Sequence, residues 1–237
     1  GAMRGMFTAG VIDVLMENGV EFDGAAGVSA GAVFGCNYKS GQPGRVIRYN
    51  TRFCKDKRFC SFRSLLKTGD MFGADFCYNI VPKKLDIFDT KTFAESEMEF
   101  YVVCTNVETG KAVYHKCLTA DDRELTWMRA SASMPLASHI VEVDGYKLLD
   151  GGISDSIPLR FIEKMGYERN VVILTQPRSY RKGKSHSLPL IKAAMRKYPE
   201  FVKASARRSK MYNKQLDYVK NAEDDGRAFV IAPDEKL

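Results

Sequence analysis

The stretch Phe22–Tyr38, which reads FDGAAGVSAGAVFGCNY, decides the fold of this 237-residue chain. Its first part, Phe22–Val28, is a short apolar run typical of a buried strand, and Ala30–Tyr38 has helical character. Between the two lies a G-x-S-x-G pentapeptide centred on Ser29, and we expect a side chain at either flanking glycine, Gly27 or Gly31, to collide with neighbouring backbone. A serine at a tight strand-to-helix turn exposes its hydroxyl, and the helix start directs unpaired N–H groups toward it. The sequence therefore predicts a nucleophile elbow at Ser29.

Strand and helix patterns alternate on both sides of this elbow. Apolar residues at helical spacing predict a helix over Gly5–Asn18, and Gly19 follows as a stop. Further strand or helix patterns follow at Glu99–Val107, Lys111–His115, Thr126–Ser133, Ile140–Val143, Tyr146–Leu149, Leu159–Met165 and Val171–Thr175. The turn sequence Asp144-Gly145 indicates a hairpin between two of these strands. Strands interleaved with helices predict an α/β layered fold.

A nucleophilic serine needs a base, and the residues offer two kinds of candidate. One is Asp150, which ends an apolar strand and is followed by Gly151 and Gly152, so its carboxylate is expected at a strand end. The other is a histidine. His139 precedes a predicted strand, whereas His115 ends a hairpin strand and His186 lies in a basic stretch. Considered alone, the residues leave both kinds of base open.

Composition excludes several classes of protein. Apolar residues make up 45% of the chain, which is enough for a sizeable core, and no apolar run approaches the ~20 residues that span a bilayer. The six cysteines form no C-x-x-C pair and the three histidines lack zinc-ligand spacing, so we expect reduced thiols and no metal site. No signal segment opens the sequence, and we expect a cytoplasmic protein. No helix-turn-helix, zinc-finger or RNP pattern indicates a nucleic-acid partner.

Charge is concentrated in two segments of the chain. Arg178–Lys220 has thirteen basic and two acidic residues, and Arg45–Lys67 has eight basic residues and one acidic residue, whereas the whole chain carries only +7. Within the first segment a row of cations recurs at helical spacing: Lys203, Arg207, Lys210 and Lys214. Such a row is either an ordinary solvated helix face or a surface for anionic lipid headgroups. The apolar run Phe62, Leu65, Leu66, Met71, Phe72, Phe76 and Tyr78 either lines an acyl-chain channel or packs as core.

Three motifs in one order resemble the patatin-like phospholipase family. Gly1-Ala2-Met3-Arg4-Gly5 matches the last five places of the family's G-G-G-x-R-G loop, with Ala2 in place of the third glycine. The G-x-S-x-G at Ser29 and the D-G-G at Asp150 follow. Ala130–Pro135 and Ser156-Ile157-Pro158 also look like the family pattern, although Asp155 stands where the family often has asparagine. The resemblance covers about residues 1–175, is closest to the bacterial cytoplasmic branch, and lacks the strand before the loop, so we expect a trimmed chain.

The resemblance implies a three-layer α/β/α fold with a central, mainly parallel sheet and the elbow between a strand and a helix. It implies a catalytic dyad of Ser29 and Asp150 without histidine, and neither a metal nor an organic cofactor. The oxyanion donors would be backbone N–H groups of Gly1, Ala2, Met3 and Ala30. The supporting residues would be Arg4, Gly5, Gly27, Gly31, Gly151 and Gly152, with Arg4 either anchoring the loop or offering charge to a phosphate.

We therefore expect one domain over residues 1–237, with a catalytic core at about 1–175 and a basic helical segment at about 178–220. The expected activity is hydrolysis of lipid acyl esters, of phospholipase A or lysophospholipase type, with peripheral contact to anionic membrane through Arg178–Lys220. An efficient carboxylate base at neutral pH must have a raised pKa, so Asp150 is expected to be buried beside Ser29. Two alternatives stay open: an acyl-carrier acyltransferase that uses His139, and a catalytically silent lipid-binding protein.

Overall fold

The computed structural model describes residues 2–61, 64–65 and 69–237. Its strands are β1 (Gly24–Val28), β2 (Glu99–Asn106), β3 (Ala112–Lys116), β4 (Val141–Val143), β5 (Tyr146–Asp150), β6 (Asn170–Ile173) and β7 (Ala228–Ile231). Its α-helices are α1 (Gly5–Glu17), α2 (Ala30–Lys39), α3 (Arg45–Phe53), α4 (Thr90–Glu95), α5 (Asp122–Ser131), α6 (Leu159–Lys164), α7 (Leu188–Ala194) and α8 (Pro199–Asp224). Short 3₁₀ turns lie at Ala2–Arg4 and Gly151–Ile153, and Phe76–Leu85 is π-helical.

Local chemistry explains where several helices begin and end. Helix α1 stops before Gly19, which takes a φ of 66° that suits glycine. Asp121 caps α5, because its side chain accepts the N–H of Glu124 at 3.0 Å. Helix α8 begins at Pro199, where the missing N–H costs no hydrogen bond.

The main sheet is built around strand β2. β1 pairs with it in parallel, β3 and β5 pair with it antiparallel, and β4 pairs with β5. The predicted α/β fold, with a sheet flanked by helices and an elbow between strand and helix, is confirmed. The sheet is mixed where a mainly parallel one was expected, because two hairpins, β2–β3 and β4–β5, bring antiparallel strands to its centre.

Alternate side chains of β2 serve two helical layers. Phe100, Val102 and Cys104 are fully buried on one face, in a core that includes residues of α2 and α5. On the other face, the ring of Tyr101 packs edge-on against Phe161 of α6 with centroids 5.2 Å apart. Leu149 of β5 joins a second core with residues of α7 and α8. The sheet therefore lies between two layers of helices, as the period of two along a strand requires.

Helix α8 is attached to the core on one side and exposed on the other. Leu216 and Val219 pack with β6 and β7, which pair in parallel. The row of basic residues predicted from the spacing is exposed: Lys203, Arg207, Lys210 and Lys214. The other basic segment is partly neutralised, since Arg45 is buried and Arg48 bonds Asp86. None of the described helices combines the length and apolarity needed to cross a bilayer.

Candidate active site

The register of the sheet brings the ends of β1 and β5 together. Val28 of β1 lies opposite Val103 of β2, and Asp150 of β5 lies opposite Cys104, the next residue along the same strand. Because β1 and β5 occupy the same edge of β2 and run in opposite directions, their carboxyl ends meet. Ser29, which follows Val28, therefore lies beside Asp150.

The backbone at Ser29 has the conformation that an elbow requires. Its φ is 57° and its ψ is −124°, a strained region for a residue with a side chain that typically costs about 1–3 kcal/mol. Gly27 makes the close approach of strand and helix possible, because a Cβ there would lie 2.5 Å from the Cα of Ala32. The N–H of Ser29 donates to Ser131 Oγ at 2.9 Å, and that hydroxyl donates to the Val103 carbonyl at 2.6 Å. The fold holds the strain in place with these contacts.

The second glycine of the motif has a different role from the one expected. We expected a side chain at Gly31 to collide with neighbouring backbone, as one does at Gly27. A Cβ at Gly31 would meet no atom within 4 Å, and the residue lines the cavity described below. Gly31 lies in the first turn of α2, where the turn opens toward this space. Its small size keeps the room in front of Ser29 free.

Asp150 is enclosed by the protein and keeps one oxygen available. The residue is 1% exposed. Oδ1 accepts the N–H of Gly152 at 2.7 Å, and the backbone N–H of Asp150 donates to the Ser133 carbonyl at 2.8 Å. Oδ2 is buried and has no hydrogen-bond partner of normal geometry among the described residues. A buried carboxyl oxygen without a donor is costly, and such a group is common at sites of proton transfer.

Burial raises the pKa of Asp150 above its ordinary value of 3.8, since desolvation disfavours the carboxylate. The Ser29 hydroxyl and the positive charge of Arg208 lower this pKa, but the effect of burial is larger. Arg208 forms no ion pair with Asp150 in the described part of the chain, because none of its side-chain nitrogens lies within 4.0 Å of the carboxylate. Its Nε instead donates to the Gly152 carbonyl at 2.8 Å. The expectation of a buried acid beside the serine thus agrees with this geometry.

Two of the expected oxyanion donors, Met3 and Ala30, line the same cavity as Ser29. Ala30 opens α2, where N–H groups of the first turn have no partner within the helix. Met3 lines the cavity from the 3₁₀ turn Ala2–Arg4. Gly1 lies outside the described residues. The roles of Gly1, Ala2, Met3 and Ala30 as donors stay predictions.

The supporting residues of the predicted motifs pack closely around the site. A Cβ at Gly5 would lie 2.8 Å from Ala30 Cβ, and one at Gly151 would lie 2.1 Å from the Val103 carbonyl oxygen. A Cβ at Gly152 would lie 3.0 Å from Asp150 Oδ1. These glycines let α1, β2 and the acid approach the elbow. Arg4 immediately precedes α1 and lines the cavity.

The three histidines occupy different surroundings. His139 lines the cavity, but its side chain is 67% exposed and its Nδ1 lies 3.5 Å from Asp70. His115 stacks on Trp127 and bonds Glu124 at 2.6 Å, away from the cavity lining. His186 is exposed. The buried acid is therefore the candidate base that the sheet register places beside Ser29.

A cavity of about 1470 Å³ opens in front of the two residues. Its apolar walls include side chains of the predicted run: Met71, Phe72 and Tyr78. Phe76 is instead core, with its ring 5.4 Å from that of Phe53, while Leu65 is half-buried. Phe62 and Leu66 lie outside the described residues. The volume exceeds the ~300–1,000 Å³ typical of small-ligand pockets.

One group of three potential metal ligands occurs among the described residues. His115, Cys117 and Glu124 place their ligand atoms within 4.8 Å of one another. The Glu124 carboxylate already bonds His115 and Arg123, and none of the three ligands lines the cavity. The sequence reasoning missed this cluster because it joins β3 to α5 through tertiary contacts.

Two residues at the site were not assigned a role from the sequence. Ser131 lies in the ASASMP stretch that resembles the family pattern, yet its bond to the Ser29 N–H depends on how α5 packs against β2. From the sequence alone, Arg208 is one of thirteen basic residues in the segment Arg178–Lys220. The departure at Asp155 also acquires a role, because its carboxylate accepts bonds from Tyr114 and Gln215 and so links β3 to α8.

Comparison with known proteins identifies the family of this chain. Residues 1–161 match the family model described as patatin-like phospholipase. This chain belongs to the patatin-like phospholipase family. Residues 198–237 match a second model, described as a domain of unknown function (DUF6363), so α8 carries features beyond the patatin-like span.

Several relatives of this patatin-like chain are larger proteins. It is 30% identical to the uncharacterized protein YjjU of Escherichia coli over 185 residues, which is 75% of this chain and 50% of the relative. It is 29% identical to lysophospholipase nte1 of Aspergillus niger over 70% of this chain and 11% of the relative. It is 26% identical to the uncharacterized NTE family protein Mb1092c of Mycobacterium bovis over 73% of this chain and 46% of the relative. The chain spans half or less of these relatives.

Proposed function

We propose that this chain hydrolyses acyl esters of phospholipids or lysophospholipids with Ser29 as nucleophile and Asp150 as general base. One observation carries the proposal: the buried Oδ2 of Asp150, without a hydrogen-bond partner of normal geometry, lies beside a serine held on a strained elbow. Family membership supports the reaction class, and the name of the fungal lysophospholipase supports the substrate class.

In the proposed mechanism Asp150 accepts and returns one proton in each of two steps, acylation and deacylation of Ser29. Ser29 Oγ gives its proton to Asp150 Oδ2 and attacks the ester carbonyl carbon. The tetrahedral intermediate collapses, the ester C–O bond breaks, and Asp150 returns the proton to the leaving alcohol. Asp150 then takes a proton from water, the resulting hydroxide attacks the acyl-enzyme, and Ser29 leaves with the proton. The raised pKa of Asp150 makes its carboxylate a better base than a solvated one.

Backbone donors stabilise the oxyanion in this mechanism. In this proposal the N–H of Ala30 at the start of α2 donates to the intermediate, together with N–H groups of Ala2 and Met3 in the 3₁₀ turn. The N–H of Ser29 itself donates to Ser131 Oγ, so it does not donate to the oxyanion. Loss of one such donor typically raises the barrier by about 3–4 kcal/mol.

The walls of the cavity suit the acyl part of a lipid. Phe34, Tyr49, Phe59, Phe72 and Met71 line it with apolar surface. Burial of a methylene group stabilises a complex by about 0.8 kcal/mol, so a long chain gains much from this space. We therefore expect kcat/KM to increase with acyl length.

Labelling by a fluorophosphonate probe tests the proposal. An activated serine reacts covalently with this probe, and a spectator serine does not. We expect one labelled site in the wild-type protein, identified as Ser29 by mass spectrometry, and no label in Ser29→Ala. Absence of labelling in the folded wild-type protein would favour the silent lipid-binding alternative.

We also propose that the exposed row on α8 contacts anionic membrane. Arg207, Lys210 and Lys214 form no ion pair within 4.0 Å in the described part of the chain, while Lys203 pairs with Glu200. Each cation near an anionic bilayer contributes about 1 kcal/mol, and salt screens the attraction.

Vesicle co-sedimentation tests this surface. The triple variant R207Q/K210Q/K214Q is expected to lose binding to phosphatidylserine-containing vesicles, and wild-type binding is expected to weaken as salt rises. The matched control K84Q/K111Q/K164Q removes the same charge from other exposed positions. Equal loss in both variants would contradict a specific face.

A further inference from the structure

Three basic side chains from distant parts of the chain converge on the cavity in front of Ser29. Arg4 precedes α1, Lys182 lies in the loop before α7, and Arg208 lies on α8. All three are half-buried and line the cavity. Lys182 and Arg208 lie outside residues 1–161, the span that matches the patatin-like family.

Contacts within the fold hold two of these cations next to each other. Arg208 and Tyr212 are one helical turn apart and share a face of α8. Lys182 Nζ lies 5.3 Å from the centre of the Tyr212 ring. The backbone of Lys182 is bound to Asn213 twice, by its N–H at 2.8 Å and its carbonyl at 3.1 Å. The loop therefore presents Lys182 beside Arg208.

Arg208 also connects this cluster to the candidate catalytic acid. Its Nε donates to the carbonyl of Gly152, whose own N–H donates to Asp150. A Cβ at Gly152 would lie 3.3 Å from an Arg208 Nη and 3.0 Å from the Asp150 carboxylate. The guanidinium thus lies at the edge of the site, close to the reacting groups and bound to a neutral carbonyl.

No described carboxylate is in direct ion-pair contact with the cluster, although Asp150 lies nearby. Among the described residues, no carboxylate lies within 4.0 Å of the basic groups of Arg4, Lys182 or Arg208, although other cations of the segment are paired: Arg178, Arg181, Lys203 and Lys220. Burial lowers the pKa of Lys182, and the nearby charges of Arg208 and Arg4 lower it further. Three half-buried cations around one space repel one another, and a bound anion would relieve this repulsion.

We propose that Arg4, Lys182 and Arg208 form a subsite for the phosphate group of the lipid headgroup, beside Ser29. Guanidinium and ammonium groups bind phosphate oxygens through charge-assisted hydrogen bonds. The subsite rests on the proposed hydrolase function: the phosphate binds the cations, the acyl chain enters the apolar cavity, and the ester between them reaches the serine. These three cations then select phospholipid esters over neutral ones.

A pair of substrates that differ only by the phosphate tests this assignment. We compare kcat/KM for oleoyl lysophosphatidate and monooleoylglycerol, and their ratio measures the contribution of the phosphate. Lys182→Gln is expected to lower the ratio about tenfold, or ~1.4 kcal/mol. Lys182→Arg should keep most of it. Lys184→Gln, an exposed lysine two residues away that does not line the cavity, is the matched control and should leave the ratio unchanged.

Binding to Ser29→Ala separates this subsite from the hydrolysis itself. Lysophosphatidate is expected to bind this variant more tightly than it binds S29A/K182Q, with inorganic phosphate binding weakly. An unchanged substrate ratio in Lys182→Gln would overturn the headgroup subsite, and Lys182-dependent binding of inorganic phosphate in that case would assign the cations to free phosphate. A folded protein inactive on both esters that still binds lysophosphatidate through Lys182 would support the subsite and overturn the hydrolase function.

Discussion

The nucleophile elbow and helix α8 reach the same cavity by different physical means. At the elbow, backbone geometry is fixed: Ser29 has a positive φ, and its N–H is bound to Ser131. Helix α8 contributes long side chains such as Arg208, which a single hydrogen bond to Gly152 positions. A backbone arrangement changes only if its neighbours move, whereas a half-buried side chain that lines a cavity can be replaced within an intact fold. In the proposed function, the elbow governs whether any ester reacts, and the cluster of Arg4, Lys182 and Arg208 governs which ester is preferred.

The largest expected effect is on the candidate base. Asp150→Asn keeps the shape of the side chain but cannot take a proton, so kcat/KM should fall about 10³-fold, within the range for a positioned general base. The loss should be equal for lysophosphatidate and monoacylglycerol, which leaves their ratio unchanged. Because burial disfavours the charged carboxylate, the free energy of unfolding at pH 7 should equal or exceed that of wild type. Steady-state kinetics and urea denaturation measure the two quantities.

His139→Ala is the control for this prediction. The ring of His139 is mostly exposed and lies near Asp70, so its removal should leave kcat/KM within about twofold. Loss of activity in His139→Ala together with activity in Asp150→Asn would contradict the dyad. That result would favour the acyltransferase alternative, whose chemistry uses a histidine base.

The two glycines of the pentapeptide provide the next test. Gly27→Ala forces a Cβ to within 2.5 Å of backbone atoms in α2, and we expect a loss of about 3 kcal/mol in the free energy of unfolding. Gly31→Ala meets open space, so stability should change by less than ~1 kcal/mol while kcat/KM decreases. Denaturant unfolding of both variants measures the difference. Equal destabilisation would contradict an enclosed Gly27 and an open Gly31.

Features with a local signal were predictable from the sequence. The elbow could be predicted because a strand pattern, a glycine-flanked serine and a helix pattern follow one another directly. The position of Asp150 at the end of a strand could be predicted because its strand and the two following glycines also lie in one stretch, and the resemblance to a family linked the two motifs. Their meeting on one edge of β2 needed the sheet register, which depends on pairing between residues far apart in sequence.

Features formed by tertiary contacts could not be predicted in this way. Charge counting found the basic segment, but it could not separate Arg208 at the cavity from Lys210 on the exposed face. Both are basic residues in one helix, and only its packing against the segment after Asp150 distinguishes them. The role of Gly31 was mistaken for the same reason, since the space in front of α2 is formed by segments outside the motif.

A smaller effect is expected from the hydroxyl that holds the elbow. Ser131→Ala removes the acceptor of the Ser29 N–H and the donor to the Val103 carbonyl, two bonds within a mostly buried site. A buried donor or acceptor without a partner lowers the free energy of unfolding by about 1–3 kcal/mol, and water that reaches the elbow reduces this loss. We expect about 2 kcal/mol of destabilisation and a lower kcat for both esters, with their ratio unchanged. A change in the ratio would show that the elbow also selects the headgroup.

The smallest expected effect is a shift in the pH dependence of kcat/KM, because Arg208 of α8 acts on the pKa of Asp150 beside the elbow. Only the carboxylate accepts a proton, so kcat/KM should fall about tenfold per pH unit below the folded-state pKa, which burial places above the ordinary 3.8. The free energy of unfolding changes in the opposite direction. As pH rises above 3.8, the unfolded chain releases this proton before the folded protein does, so wild type should lose stability relative to Asp150→Asn. Arg208 lowers the pKa, and Arg208→Gln should therefore move the acid limb to higher pH. An acid limb at or below pH 3.8 for wild type would contradict the raised pKa of Asp150, and an unmoved limb in a folded Arg208→Gln would contradict the coupling between α8 and the elbow.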